Sequence, residues 1–172
     1  MYHSHSGIQR GDGLFGAIIV RASNDVHASM YDHDLAEHVI IVNDWLSGQS
    51  MVEKTEAFIE KGRDELPHAD AILINGRGRY RIGDKNVFDD TALPKTVLKV
   101  SQGKRYRIRL INAGILACPI QFSIQDHTFS VISSDGQSLE AENDIQSLTL
   151  FAGLILFYLF CKDIIDEALL LI

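Results

Sequence analysis

Two histidines stand one residue apart at the start of the chain, in the segment Tyr2-His3-Ser4-His5-Ser6-Gly7. On a β-strand, side chains at positions i and i+2 leave the same face, about 6.5 Å apart along the strand. Both imidazoles can therefore reach one metal ion or two neighbouring ions. Imidazole suits copper, zinc, iron and nickel, so the pair predicts a metal site without choosing the metal. The alternative is a flexible, solvent-exposed pair that binds metal only adventitiously.

The residues after the pair narrow this choice. The segment continues through Gln9-Arg10-Gly11-Asp12-Gly13 into Leu14-Phe15-Gly16. This run resembles the second copper motif of multicopper oxidases, most closely in the laccase branch found in insects. The resemblance implies that the motif ends the first of three cupredoxin domains. It also implies that His3 and His5 each ligate a different copper of the binuclear type 3 pair, which joins one type 2 copper in the trinuclear cluster that reduces oxygen to water.

Two later strings resemble the second domain of the same family. They cover residues 103–113, Gly-Lys-Arg-Tyr-Arg-Ile-Arg-Leu-Ile-Asn-Ala, and 126–136, Asp-His-Thr-Phe-Ser-Val-Ile-Ser-Ser-Asp-Gly. The family's other copper motifs, His-Trp-His, His-Pro-X-His-Leu-His and His-Cys-His, do not occur in this sequence. The chain therefore resembles a fragment of a laccase-like oxidase. The resemblance implies copper as cofactor, phenolic or diphenolic molecules and oxygen as partners, and secretion.

Composition restricts the possible partners and the compartment. A net charge of −7 argues against nucleic acid, whose binding needs clustered lysine and arginine. Met1 is followed by polar residues rather than by a basic segment and an apolar core, so we see no signal peptide and expect a truncated start. The apolar run Leu148–Cys161 falls short of the roughly 20 residues that span a bilayer, so we do not expect a membrane partner.

The elements that must position these residues are short strands. Apolar or alternating segments separated by turn signals predict an all-β, cupredoxin-like Greek-key β-sandwich. The clearest hairpin joins Thr96–Val100 to Arg105–Leu110, in which Tyr106, Ile108 and Leu110 alternate with arginines. One helix is expected near residues 51–61, because Ser50 and Glu53 have the spacing of a capping box.

We divide the chain into four parts. Residues 1–22 are the end of the first cupredoxin domain with the type 3 copper motif, 23–37 a linker, 38–153 the second domain, and 154–172 an apolar tail that leaves the family pattern. We expect the tail to be helical and the last strands of the sandwich to be lost, as after a reading-frame departure. The sandwich is then incomplete, with an atypical helical tail.

The other histidines are assigned structural roles. His27 and His33 lie in the acidic linker and are expected to be solvated. His38 and His127 are expected to be structural, His127 through a hydrogen bond. The arginines Arg105, Arg107 and Arg109 face outward, and we expect them to be solvated or to contact neighbouring domains. We expect Cys118 and Cys161 not to form a disulfide.

Two functions from different classes remain open. The chain is either part of a copper-dependent oxidase of phenols or a copper-free cupredoxin-like module for binding or packing. A type 1 copper, which takes electrons from the substrate, needs a His-Cys-His set that the sequence lacks. We therefore expect the isolated chain to be inactive, even where the complete protein is an enzyme.

Overall fold

A computed structural model describes residues 1–46, 50–61, 69–78, 80–81, 88–89, 95–115, 119–153, 155–160 and 168–169. These ranges contain one α-helix, α1 (Met51–Lys61), and a 3-10 turn (Ala36–His38). The strands are β1 Tyr2–His3, β2 Phe15–Gly16, β3 Val39–Trp45, β4 Ala71–Ile74, β5 Arg77–Gly78, β6 Tyr80–Arg81, β7 Phe88–Asp89, β8 Val97–Leu98, β9 Tyr106–Asn112, β10 Ile120–Ser123, β11 Phe129–Ser134, β12 Gln137–Ile145, β13 Ser147–Leu150, β14 Ile155–Phe160 and β15 Ala168–Leu169.

One large sheet organises the fold. Its seven strands run in the order β12-β11-β14-β9-β3-β4-β5, and β3 and β9 form its parallel pair. Two-stranded sheets β10-β13 and β8-β15 complete the strand layers. The core joins apolar side chains of the large sheet to those of β8, β10 and β13: Ile40, Val42, Ile74, Leu98, Tyr106, Ile108, Leu110, Phe122, Phe129, Val131 and Leu150. The predicted all-β, cupredoxin-like sandwich is confirmed.

The helix forms where the capping box predicts it. The backbone N–H of Ser50 donates to Glu53 Oε2 at 2.8 Å, and the Glu53 N–H donates to Ser50 Oγ at 3.2 Å. These bonds satisfy two of the N–H groups that the first turn of any helix leaves without an internal partner. The helix then runs from Met51 to Lys61, as the sequence predicts.

Two hairpins follow from their turn residues. Asn75 and Gly76 have φ of 50° and 75°, and they join β4 to β5. Asp135 and Gly136 have φ of 47° and 84°, and they join β11 to β12. Consecutive positive φ values belong to the tight turn whose twist matches that of antiparallel strands, and Asn-Gly and Asp-Gly suit it best.

The predicted hairpin between Thr96–Val100 and Arg105–Leu110 is wrong. A turn does form, closed by the Lys104 N–H on the Ser101 carbonyl, but the flanking strands separate. β8 pairs with β15, whereas β9 pairs with β14 and β3. The chain crosses between layers at this turn, so the two strands pair with different neighbours while Leu98 and Ile108 reach the same core.

The predicted helical tail is wrong where the structure describes it. Residues Ile155–Phe160 form β14, which lies between β9 and β11 inside the large sheet. Ile155 faces Ile111, and Phe160 faces Tyr106 and Phe129. A central strand is covered on both faces, so its sequence is a continuous apolar run without alternation. This stretch belongs to the sandwich and is not a departure from it.

The linker is fastened to the large sheet by ion pairs, contrary to the expectation of solvated arginines. Arg109 is only 3% exposed. The aspartates of the linker meet the arginines at and just before β9 in the pairs Asp32–Arg105, Asp25–Arg107 and Asp34–Arg109.

The linker histidines are likewise not solvated. His27 is buried, and the ring of His33 stacks on Tyr106 with centroids 5.0 Å apart. His38 is fully buried, and its Nε2 is 3.1 Å from the Lys99 carbonyl oxygen, in keeping with a structural role. His127 donates from Nδ1 to the Gln125 carbonyl at 2.6 Å, as predicted.

Two remaining expectations concern the cysteines and membrane spans. Cys118 and Cys161 lie outside the described residues. Among the residues that the structure describes, no helix has the length and apolar character needed to cross a bilayer.

Candidate metal centre

The histidine pair sits on a small antiparallel hairpin. In it, β1 pairs with β2, so that Tyr2 faces Gly16 and His3 faces Phe15. The Ser4 N–H donates to the Leu14 carbonyl at 2.9 Å and extends the pairing past the strand ends. The ring centroids of His3 and His5 lie 6.1 Å apart, with the ring planes tilted by 32°. The i, i+2 spacing thus places the two imidazoles side by side.

One histidine has a defined tautomer. Nδ1 of His3 lies 2.9 Å from the carbonyl oxygen of Ser4. A carbonyl can only accept, so Nδ1 carries a hydrogen, and in the neutral ring the lone pair that can bind a metal is on Nε2. A hydrogen bond of this kind orients a metal-binding imidazole and makes it a better ligand. His3 is half-buried and His5 is exposed, so both remain accessible from outside the hairpin.

The loop between the two strands is a compact turn. The Leu14 N–H donates to the Gln9 carbonyl, and the Gly13 N–H donates to the Arg10 carbonyl. Ser4 Oγ donates to Gln9 Oε1 at 2.6 Å, which ties the residue between the histidines to the loop. Gly13 has φ of +96°, a conformation that residues with a side chain rarely adopt. The loop and the pair therefore form one hydrogen-bonded unit.

A second glycine permits the hairpin to close. A Cβ atom added at Gly16 would lie 2.3 Å from the Tyr2 ring. With glycine at position 16, the Tyr2 ring can lie over the facing strand without being displaced by a side chain there. The backbone conformation at Gly13 and the packing at Gly16 thus explain why glycine suits both positions of the hairpin.

The loop also contacts the sandwich, which the sequence did not indicate. Asp12 Oδ1 accepts a hydrogen bond from the Met51 backbone N–H at 2.7 Å. Arg10 Nη2 donates to the Gly114 carbonyl at 3.1 Å. Trp45, at the end of β3, lies 3.7 Å from the position of a Cβ on Gly13. Two charged residues in a glycine-rich loop were the available signal, but they resemble an ordinary solvated turn.

The described residues offer two ligands and not a complete site. Within those ranges, no group of three or more histidine, cysteine, aspartate or glutamate side chains could hold a metal ion. His27, His33, His38 and His127 have the separate surroundings given above. Two neutral imidazoles suit copper, and a pair of this kind fits one part of a larger coordination sphere. The donor set therefore fits the copper predicted from the motif, with the remaining ligands to come from elsewhere.

The comparisons with known proteins agree on one family. The family model described as "Multicopper oxidase" matches residues 36–156. Laccase-4 of Thanatephorus cucumeris is 39% identical over 136 residues, which make up 78% of this chain and 24% of that protein. Laccase-1 of Fomitopsis schrenkii is 35% identical over 156 residues, or 88% of this chain and 25% of that protein. The chain spans about a quarter of the length of these curated relatives.

The solved structures show the same likeness. The crystal structure of laccase from Botrytis aclada superposes with a TM-score of 0.72 at 27% sequence identity. That superposition covers 95% of this chain and 29% of the other. The multicopper oxidase Fet3p superposes equally well, with a TM-score of 0.72, but at 20% identity it supports the fold alone.

Proposed function

We propose, from the premise that the chain belongs to the multicopper oxidase family, that it is a segment of a laccase-like oxidase and carries one half-motif of its trinuclear copper site. In this proposal residues 1–22 close the first cupredoxin domain and residues 38–153 belong to the second. The substrates of the complete protein are phenolic or diphenolic molecules and oxygen, and the protein is secreted. The insect-type branch remains part of the proposal.

The observation that carries the proposal is the geometry of the histidine pair. The rings of His3 and His5 lie 6.1 Å apart, which suits two ligands directed at two neighbouring metal ions or at one. Copper bound there supplies the redox chemistry of the family, because amino-acid side chains cannot themselves carry four electrons to oxygen. His3 and His5 are the metal ligands that we assign.

The surrounding residues orient the ligands. The Ser4 carbonyl accepts a hydrogen bond from His3 Nδ1, and the Ser4 hydroxyl donates one to Gln9 Oε1. The backbone carbonyl therefore selects the tautomer, and the hydroxyl holds the segment between the ligands. Each contact restricts the conformations of the segment before metal binds. Less ordering of the imidazoles is then needed on binding, which favours it.

The copper-free alternative is not favoured. A binding or packing module would not need two adjacent imidazoles, one of them fixed as a ligand-competent tautomer. Proteins named laccase also match 78% to 88% of the chain. These observations support the oxidase proposal over a purely structural role.

The test uses the complete coding sequence that contains this chain in frame. We expect His3→Ala and His5→Ala, each made singly, to abolish oxygen uptake with a diphenol while the intense blue thiolate absorption of type 1 copper remains. His127→Ala is the matched control, because Nδ1 of this histidine bonds to the Gln125 carbonyl within the sandwich, and it should retain oxygen uptake. Full oxygen uptake by either ligand variant would contradict the proposal, as would a reading frame that encodes no further histidine motifs.

A further inference from the structure

The contact between Asp12 and helix α1 is not part of the helix's own capping. A helix leaves its first N–H groups without internal partners. Ser50 and Glu53 already satisfy two of them through the capping box. The Met51 N–H is a further such group, and it donates to a carboxylate 39 positions earlier in the chain. A negative charge also interacts favourably with the positive end of the helix dipole.

The second contact has a rigid acceptor. Arg10 donates to the carbonyl of Gly114, in the turn that follows β9. The Gly114 N–H donates to Asn112 Oδ1 at 2.9 Å, and Asn112 Nδ2 donates to the Leu150 carbonyl at 3.0 Å. The turn is thus bonded to the core strands β9 and β13. Arg10 therefore reaches a fixed point of the sandwich.

Close packing joins these two contacts. A Cβ atom added at Gly11 would lie 2.4 Å from Ile115 Cδ1 and 3.1 Å from Met51 Cγ. A side chain at Gly11 would have to displace the end of the Ile115 side chain, so glycine lets the loop backbone lie against the sandwich without that shift. Three consecutive residues, Arg10, Gly11 and Asp12, therefore contact the second domain together. We call these residues the dock.

The dock is connected to the histidines through a short path. The loop holds Ser4 by the Gln9 side chain and holds the second strand by the bond from Leu14 N to Gln9 O. Ser4 lies between His3 and His5 and pairs with Leu14. A shift of the loop relative to helix α1 would therefore displace both imidazoles. Metal ligation is sensitive to such displacements, because ligands must be held within about 0.5 Å of the productive geometry.

We infer that the dock fixes the histidine hairpin to the second domain and that Asp12 is a positioning residue for His3 and His5. This inference rests on the proposed function, because positioning affects chemistry only where the pair binds copper. Asp12 contacts no copper ligand directly, and it acts through the loop. The second domain then contributes to copper binding by positioning the ligands, although the ligands precede it in the chain.

The experiment compares three variants of the 172-residue chain with the wild type. Asp12→Ala removes the acceptor for the Met51 N–H, whereas Asp12→Asn keeps an oxygen acceptor in the same place. Glu53→Ala is the matched control, because it weakens the same helix end without touching the loop. The first readout is hydrogen exchange at the Ser4 amide, and the second is the affinity for Cu²⁺ alone.

In Asp12→Ala we expect the hydrogen of the Ser4 amide to exchange about tenfold faster than in the wild type, because the loop that supports Ser4 is no longer held by helix α1. Its Cu²⁺ affinity should fall by roughly tenfold, the lower end of the range for residues that support metal ligands. Asp12→Asn should resemble the wild type in both readouts. Glu53→Ala should lower the unfolding midpoint and leave both unchanged.

The outcomes separate the dock from the copper proposal. Equal Ser4 exchange in Asp12→Ala and wild type would overturn the dock, and so would equal acceleration by Glu53→Ala. Faster exchange with unchanged Cu²⁺ affinity would overturn the positioning role of Asp12. A wild-type chain whose Cu²⁺ binding is indifferent to His3→Ala would instead count against the proposed function, while the exchange data still decide on the dock. Should Asp12→Ala not fold, Arg10→Ala provides the same comparison at the Gly114 contact.

Discussion

Arg109 and Asp34 form a two-pronged ion pair that holds the linker against the central strand β9. Both terminal nitrogens of the guanidinium donate to the carboxylate, one of them to Oδ2 at 2.8 Å. Arg109 is 3% exposed, and the Asp34 side chain is 13% exposed. A bidentate pair of this kind, withdrawn from water, has both strength and directional specificity.

Replacing Arg109 by alanine should destabilise the chain strongly. The change leaves the Asp34 carboxylate in a largely buried place without its main partner, which costs roughly 3–5 kcal/mol. Arg21→Ala is the control, because Arg21 is 55% exposed and lies 3.8 Å from the same carboxylate. It should cost less than about 1 kcal/mol. Urea unfolding midpoints check both values, and equal losses would show that the pair does not fasten the linker.

Acid should weaken the linker contacts. The hydrogen bond from Arg105 lowers the pKa of Asp32 to about 2. Burial raises the pKa of Asp34, but hydrogen bonding and attraction from Arg109 outweigh it, and the net pKa is lowered. The pKa of an aspartate in the unfolded chain is about 3.9. Between that pKa and the lower pKa of the folded state, the unfolded chain binds more protons than the folded one. The free energy of unfolding should therefore fall as the pH drops from about 5 to 2.

Thermal unfolding followed across that pH range measures this effect. Asp32→Asn should start from a lower midpoint at pH 6 and show a shallower loss towards acid, because its side chain no longer titrates. A wild-type midpoint that stays constant from pH 5 to 2.5 would contradict the assignment.

Local signals were sufficient for part of this fold. The capping box predicted the helix, and the Asn75–Gly76 and Asp135–Gly136 turns also depend only on neighbours in sequence. β8 pairs with β15 and β9 pairs with β14, and no local pattern specifies these distant partners. Periodicity also showed that Arg107 and Arg109 share a face, but it could not show that the linker covers that face.

The candidate site divides in the same way. The adjacency of His3 and His5 follows from strand geometry, and the structure places the rings side by side. The contacts of Arg10 and Asp12 could not be predicted, since each partner lies 39 or more residues away. A charged residue in a turn is usually solvated, and only the folded arrangement shows which carbonyl or N–H it meets.

Truncation after Gly153 should abolish folding and not merely change solubility. The deleted part contains β14, which is paired on both sides within the large sheet. Its removal breaks two ladders and exposes the apolar faces of β9 and β11. Loss of the cooperative thermal transition, followed by circular dichroism, checks this. A truncated chain with a cooperative transition near that of the full chain would contradict the central position of β14.

The two cysteines should be free thiols. Both residues lie outside the part of the chain that the structure describes, so this prediction is made from the sequence. A disulfide needs its two Cα atoms within about 7 Å of each other, and no sequence motif pairs Cys118 with Cys161. Thiol titration of the unfolded, unreduced monomer should find both. Finding none would require an intramolecular bridge and refute the prediction.

The most direct test of the copper-ligand assignment is the binding of Cu²⁺ to the 172-residue chain, followed by electron paramagnetic resonance. We expect a bound Cu²⁺ whose spectrum shows nitrogen coupling, without intense blue absorption and without oxygen uptake on a diphenol. The double variant His3→Ala, His5→Ala should lose this species and keep the fold, whereas His127→Ala should retain it. An unchanged copper spectrum and affinity in the double variant would contradict the assignment of His3 and His5 as copper ligands.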